Sequence, residues 1–140
     1  MDTAKSFLVD LERSTELSFS PLTSKKFHGD NAILDIQKWM DEHYAAHINI
    51  DEMCQQFGIS NRSLLRRFKL ATGVTPLNYL QDVRLDAASR LLVQSNDTIE
   101  AITHKVGYED ISSFTRLFKR RSGFSPSSYR ARFRAVHVAR

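Results

Sequence analysis

The chain has 140 residues, 41% hydrophobic and 26% charged, with five Gly and three Pro, so it can bury a core and does not read as disordered. Its apolar runs are too short to cross a membrane, and a single cysteine, Cys54, excludes an intramolecular disulfide framework. The net charge of +4 is unevenly spread: residues 1–60 carry 5 Lys/Arg against 10 Asp/Glu, and residues 61–140 carry 15 against 6, a basic half that suits a polyanion such as nucleic acid or anionic lipid.

The start "MDTAKSFLVDLERS" has acidic residues where a signal peptide needs a basic end and a continuous apolar stretch, so a cytoplasmic protein is expected. Residues 3–17 are predicted to form a short amphipathic helix, with Phe7, Leu8 and Leu11 on one face. "SFSPLTSKKFHGD" is predicted to be a connector, because Pro21 and the small polar residues break the periodicity. Asp30 is the expected N-cap of a helix over "DNAILDIQKWMDEHYAAH", where Ile33, Ile36, Trp39, Met40 and Tyr44 recur at helical spacing. His43 and His47 stand four apart, a zinc-compatible spacing. However, "HYAAH" lacks the glutamate of the zinc-protease pattern and no third ligand has a clear spacing, so exposed histidines and no metal are expected.

A short helix follows, capped by Asn49 with Glu52 three residues later, and ends at Gly58. Cys54 lies among its core positions and matches Thr103 farther on, so it reads as a small buried side chain and not as a nucleophile. Ser60 caps "NRSLLRRFKLAT", which ends at Gly73; helix, glycine turn, helix is the sequence form of a helix-turn-helix. Thr75-Pro76 then starts a helix running to about Gln94. Leu80, Val83, Ala87 and Leu91 form one stripe on it, which Leu77, Leu85, Ala88 and Leu92 widen, so this rod is expected to pack on more than one side. The pattern then recurs. Thr98 caps, Gly107 ends, Asp110 caps "ISSFTRLFKRRS", Gly123 ends, and Ser125-Pro126 starts a last helix. Nothing alternates with period two over strand length, so an all-α fold of about seven helices is predicted, with Trp39 and the nine Phe in its core.

The recurrence is an internal repeat. "RRFKLATGVTP" (66–76) matches "RLFKRRSGFSP" (116–126) at an offset of 50, and "NIDEMCQQFG" (49–58) matches "TIEAITHKVG" (98–107) at an offset of 49. One residue of slippage separates the registers. Two copies are too few for a solenoid and suit a pair of small subdomains.

The second helix of each copy has two faces. Leu64 and Phe68 belong to the core in the first, and Phe114, Leu117 and Phe118 in the second. Arg62, Arg66 and Lys69 follow i, i+4, i+7 on an outer face with Asn61 and Leu65 beside them, and Ser112, Arg116 and Lys119 correspond in the second copy, with Ile111, Ser113 and Thr115 alongside. A helix fits the major groove of DNA, where Arg bridges the acceptors of guanine and methyl-bearing side chains meet thymine, and its N-terminal part reaches the bases. Residues 61–66 and 111–116 are therefore the candidate base readers, and Lys69, Thr115, Lys119, Arg120 and Arg121 the candidate phosphate contacts. The helix starts at Ser60, Thr75, Asp110 and Ser125 offer backbone amides to phosphate, although Asp110 adds an unhelpful charge.

"GYEDISSFTRLFKRRSGFSPSSYR" resembles the signature of the AraC/XylS family of bacterial transcription regulators, and the first copy and "RLDAASRLL" fit the same family's DNA-binding domain, over about Asp30–Phe133. The resemblance implies a homeodomain-like arrangement of two helix-turn-helix subdomains joined by a linker helix, with recognition helices entering successive major grooves. The family's base-reading positions fall on Arg62, Leu65, Arg66, Ile111, Ser112, Ser113 and Arg116. Leu65 departs from the polar residue expected there, and with Ile111 it suits thymine methyls. "AKSFLVDLERS…FHGDNAILDIQKW" is similar to the exit from a PfpI-type, glutamine-amidotransferase-like domain, which implies that a sensor precedes this fragment. The expected organisation is 1–29 as helix and connector, 30–74 as the first subdomain, 75–95 as linker helix and 96–140 as the second subdomain with a basic tail.

Double-stranded DNA is thus the expected partner of a monomeric fragment, without cofactor or metal, and with dimerisation of the intact protein left open. A helical module docking RNA polymerase, with only nonspecific DNA affinity, would instead show an apolar patch in place of outward arginines, although polymerase contact can coexist with DNA binding. An enzyme is not expected, since no nucleophile elbow, metal set or triad occurs.

Overall fold

The computed structural model describes Leu22 and residues 24–138, with side chains up to Arg134; the helix predicted over residues 3–17 lies outside these residues. After a 3₁₀ turn (Ser24–Lys26) come seven α-helices: α1 (Asn31–His43), α2 (Ile50–Phe57), α3 (Asn61–Thr72), α4 (Pro76–Gln94), α5 (Ile99–Lys105), α6 (Ile111–Ser122) and α7 (Pro126–Val138). No strand occurs among the described residues.

The helix starts follow their caps. Asp30, Asn49, Ser60, Thr75, Thr98 and Asp110 each stand in extended backbone and accept a hydrogen bond from an amide two or three residues on, satisfying donors that the first turn leaves open. Ser125 does the same for Ser128 at 3.1 Å. α3 and α6 stop identically, at Gly73 and Gly123 with φ of 83° and 84°, a left-handed conformation that favours glycine.

Two apolar clusters result. The first gathers Ile33, Ile36 and Met40 of α1, Met53 and Cys54 of α2, Leu64 and Phe68 of α3, and Tyr79, Leu80 and Val83 of α4. The second takes Leu85, Ala87, Ala88 and Leu92 from the later half of α4, and closes over Ile102, Val106, Phe114, Leu117, Phe118, Tyr129 and Phe133. The rod α4 therefore serves both cores with successive halves. The repeat is also visible in the packing: Phe68 meets Tyr79 edge-on at 5.5 Å, and Phe118 meets Tyr129 edge-on at 5.3 Å.

The slippage in register lies in the turns. Ile59 alone stands between Gly58 and the cap Ser60, whereas Tyr108 and Glu109 stand between the matching Gly107 and the cap Asp110. Of the core expectations, those for Phe7 and Phe19 lie outside the described residues, and two others fail. Leu77 is 57% exposed, because it shares a helical row with Ala88 but stands about three turns earlier, before the second cluster begins. Phe27 is 82% exposed, since it follows the 3₁₀ turn and belongs to no helix face.

Candidate nucleic-acid interface

On α3 the core row of Leu64 and Phe68 is buried, and Arg62, Leu65, Arg66 and Lys69 are exposed opposite it, Leu65 by 52%. On α6, Phe114, Leu117 and Phe118 are buried, while Ile111, Ser112, Ser113, Arg116, Lys119 and Arg120 are exposed and Thr115 is half-buried. Two register-matched helices thus turn corresponding cationic faces outward. Arg62, Arg66, Lys69, Lys119 and Arg120 form no salt bridge with the described residues, so their charge is directed at solvent.

The first-turn polar residues have structural partners. The Asn61 amide donates to Asp51, tying the start of α3 to α2. Ser113 donates to Asp110 Oδ2 from its hydroxyl at 2.6 Å and from its backbone amide at 2.9 Å, and these bonds hold the Asp110 carboxyl below the usual range. Arg116 reaches back to the Ser113 hydroxyl at 3.5 Å. Ser60, Thr75 and Ser125 are occupied as caps.

Arg121 is a correction. Its side chain is only 24% exposed and its guanidinium is held by Asp82, which is 1% exposed, and by Gln81 Oε1 at 3.1 Å. It points into the molecule and leaves the phosphate set. Helical spacing carries the reason: Arg121 follows Phe114 by seven and Leu117 by four, on the core row. Arg67, one step off the Arg62/Arg66 face, suits a rim or phosphate contact by sequence, but it is half-buried and paired with Asp30, and its counterpart in the repeat is the buried Leu117. It donates to both carboxylate oxygens of Asp30, at 3.0 and 2.7 Å, which draws the Asp30 carboxyl below its ordinary range.

Asp30 therefore caps α1 and anchors α3 at once. Asp30→Ala should destabilise the fold by about 1–2 kcal/mol through the lost cap, and more as Arg67 loses its partner. The folded-state carboxyl is depressed, so its contribution is complete above the ordinary value of 3.8 and fades as pH falls below it. Urea unfolding should show Asp30→Asn, which keeps the cap, less stable than the unaltered chain at pH 7. An equal gap at pH 2.5 would overturn this assignment.

Three arginines that sequence reasoning did not single out close the frame. Arg84, in the middle of α4, donates to the carbonyls of Tyr44 at 2.8 Å and Ala46 at 3.0 Å and lies over the Tyr108 ring at 5.2 Å. Arg130 and Arg134 donate to Leu92 and Ser95 carbonyls where α4 ends. A basic residue inside an apolar rod, as in "RLDAASRLL", was the available signal for Arg84. His43 stacks on Trp39 at 4.6 Å, and no metal-holding cluster of side chains occurs among the described residues. Cys54 is buried, which pushes its thiol pKa up.

The geometry has known counterparts. A helix-turn-helix domain family matches residues 53–132. Over 92 residues the chain is 38% identical to the HTH-type transcriptional activator RhaS of Escherichia coli O139:H28; the match covers 66% of this chain and 33% of that protein, so the chain spans about a third of that relative's length. The DNA-binding domain of AdpA, a global transcriptional factor crystallised with a target DNA, has a TM-score of 0.72 at 28% identity, over 76% of this chain and 96% of that one. A probable AraC family transcriptional regulator from Rhodopseudomonas palustris has a TM-score of 0.67 at 25% identity, over 75% and 99%. Because the family match runs from α2 into α7 and takes in both outward cationic helices with the rod between them, the chain belongs to the helix-turn-helix DNA-binding domains of the AraC family.

Proposed function

We propose that the chain binds double-stranded DNA in a sequence-specific way as the DNA-binding part of a bacterial transcriptional regulator, with α3 and α6 entering successive major grooves. The observation that carries this reading is the pair of register-matched, outward cationic helix faces in one chain, and the likeness to a domain crystallised with target DNA supports it. Arg62, Arg66 and Arg116 would read guanine edges, Leu65 and Ile111 would meet thymine methyls, and Ser112 would read an adjacent polar edge. Lys69, Thr115, Lys119, Arg120 and the amides behind Ser60, Thr75 and Ser125 would hold phosphates. Asn61 and Ser113, already bonded to Asp51 and Asp110, would hold the two helix starts in position. The resemblance of the N-terminal stretch to the exit from an amidotransferase-like domain supports the finer reading that an upstream sensor governs this output, and the likeness to RhaS supports activation as its direction.

Selection of bound sequences from a random duplex pool tests the reading directly, and enrichment of a bipartite motif with elements about one helical turn apart is the expected result. On that motif, Arg66→Ala and Arg116→Ala should each lose about 1–3 kcal/mol and relax preference at one element only. Equal losses on motif and scrambled DNA would make them phosphate contacts, and salt-sensitive binding with no enriched motif would reduce the chain to a nonspecific binder.

A further inference from the structure

Two units strung on one helix could roll about its axis unless something off the axis holds them. Here both ends of the second cationic helix are fastened to parts of the first unit. At the C-terminal end, Arg121 reaches 39 residues back to Asp82 and also engages Gln81. Asp82 lies between Leu80 and Val83, which pack in the first core. At the N-terminal end, Tyr108 lies under the Arg84 guanidinium, whose donors are spent on the Tyr44 and Ala46 carbonyls between α1 and α2.

The repeat separates these contacts from what each unit needs for its own folding. Arg84 has a counterpart in Arg134, which donates to the Ser95 carbonyl before α5 just as Arg84 donates before α2. Arg121 has none, because Ala71 occupies the corresponding place in α3. A guanidinium at this site is also chemically apt, since its flat fork serves the carboxylate of Asp82 and the amide oxygen of Gln81 together, which a lysine cannot do in one geometry.

We propose that Arg121, through Asp82 and Gln81, is a positioning residue that fixes how α6 is set relative to α3, so that the chain selects the spacing between two DNA elements without touching the base pairs between them. The inference rests on the DNA-binding reading and goes beyond it by assigning spacing specificity to an interior pair. One inserted base pair rotates the second element by about a tenth of a turn and shifts it along the axis, so a rigid pair of helices cannot engage both elements at once.

The test uses the full chain on its selected motif and on versions with one base pair inserted or removed between the elements. The unaltered chain should lose about tenfold or more in affinity at either altered spacing, comparable with losing a bidentate base contact. Arg121→Met combined with Asp82→Asn removes the ion pair without stranding a buried charge. This variant should enrich the same two elements but bind all three spacings to within about threefold of one another. Arg121→Lys, which keeps the ion pair and loses the bond to Gln81, should fall between, and it serves as the deciding variant if the double substitution does not fold. A folded variant that keeps the full spacing penalty overturns the proposal and leaves DNA reading intact. The proposal also fails alone if the unaltered chain enriches a bipartite motif yet tolerates every spacing. Absence of any bipartite motif would sink the DNA reading together with the inference built on it.

Discussion

Gly107→Ala should cost about 3–5 kcal/mol of stability, several times the cost of Gly58→Ala, although the two glycines correspond in the repeat and both have positive φ. At Gly58, with φ of 65°, an added methyl group meets no atom within 4 Å, so the left-handed conformation alone is penalised, by about 1–2 kcal/mol. At Gly107, with φ of 102°, the same methyl group would stand 2.8 Å from the Tyr44 carbonyl oxygen and 2.8 Å from Arg84 Nε. One of these is backbone and cannot swing away, and the other is a side chain whose departure would forfeit two charge-assisted hydrogen bonds. Urea unfolding followed by circular dichroism compares the two variants directly. Equal losses would mean that the Arg84–Gly107 approach carries no weight in the fold.

Phe118→Ala should cost about 3–5 kcal/mol, as expected for emptying a fully buried aromatic site, and Phe68→Ala should match it because each ring packs edge-on against the tyrosine of its own unit. The more telling quantity is where the loss registers. Trp39, the single tryptophan, lies in the first unit, edge-on to Phe57 at 6.2 Å, and its fluorescence reports that unit alone. If α4, Arg84 and Arg121 join the cores into one cooperative block, Phe118→Ala should lower the midpoint of the Trp39 transition as much as that of the helical signal. Trp39 melting at its original midpoint while the helical signal splits in two would show that the units unfold independently.

Local rules made much of this legible. The caps, from Asp30 to Asp110, could be read because a Ser, Thr, Asn or Asp before an apolar rhythm satisfies amides within its own turn, and no distant residue is needed. The two cationic faces were legible because helical spacing separates them from Leu64, Phe68, Phe114 and Phe118. What the sequence concealed was which arginines look outward. Arg67 and Arg121 find their acids 37 and 39 residues away, and Arg84 bonds to backbone carbonyls that any residue could supply. Spacing constrains a side chain's direction, but its partner is chosen only when helices meet. Periodicity still held a warning, since Arg121 lies on the row of Phe114 and Leu117, although its charge within a basic run suited a phosphate contact. Leu77 failed for the converse reason: its row is right, but the neighbour that would cover it stands farther along α4.

The two halves of the repeat are not copies of each other. Where α3 presents Arg62 and Leu65, α6 presents Ser112 and Thr115, and the turn before α6 carries one extra residue. A two-fold symmetric dimer on a palindrome looks the same from either end. On the proposed DNA-binding reading, one polypeptide with an unlike front and back would lie along a duplex with a heading, so a single bound molecule would distinguish upstream from downstream by itself.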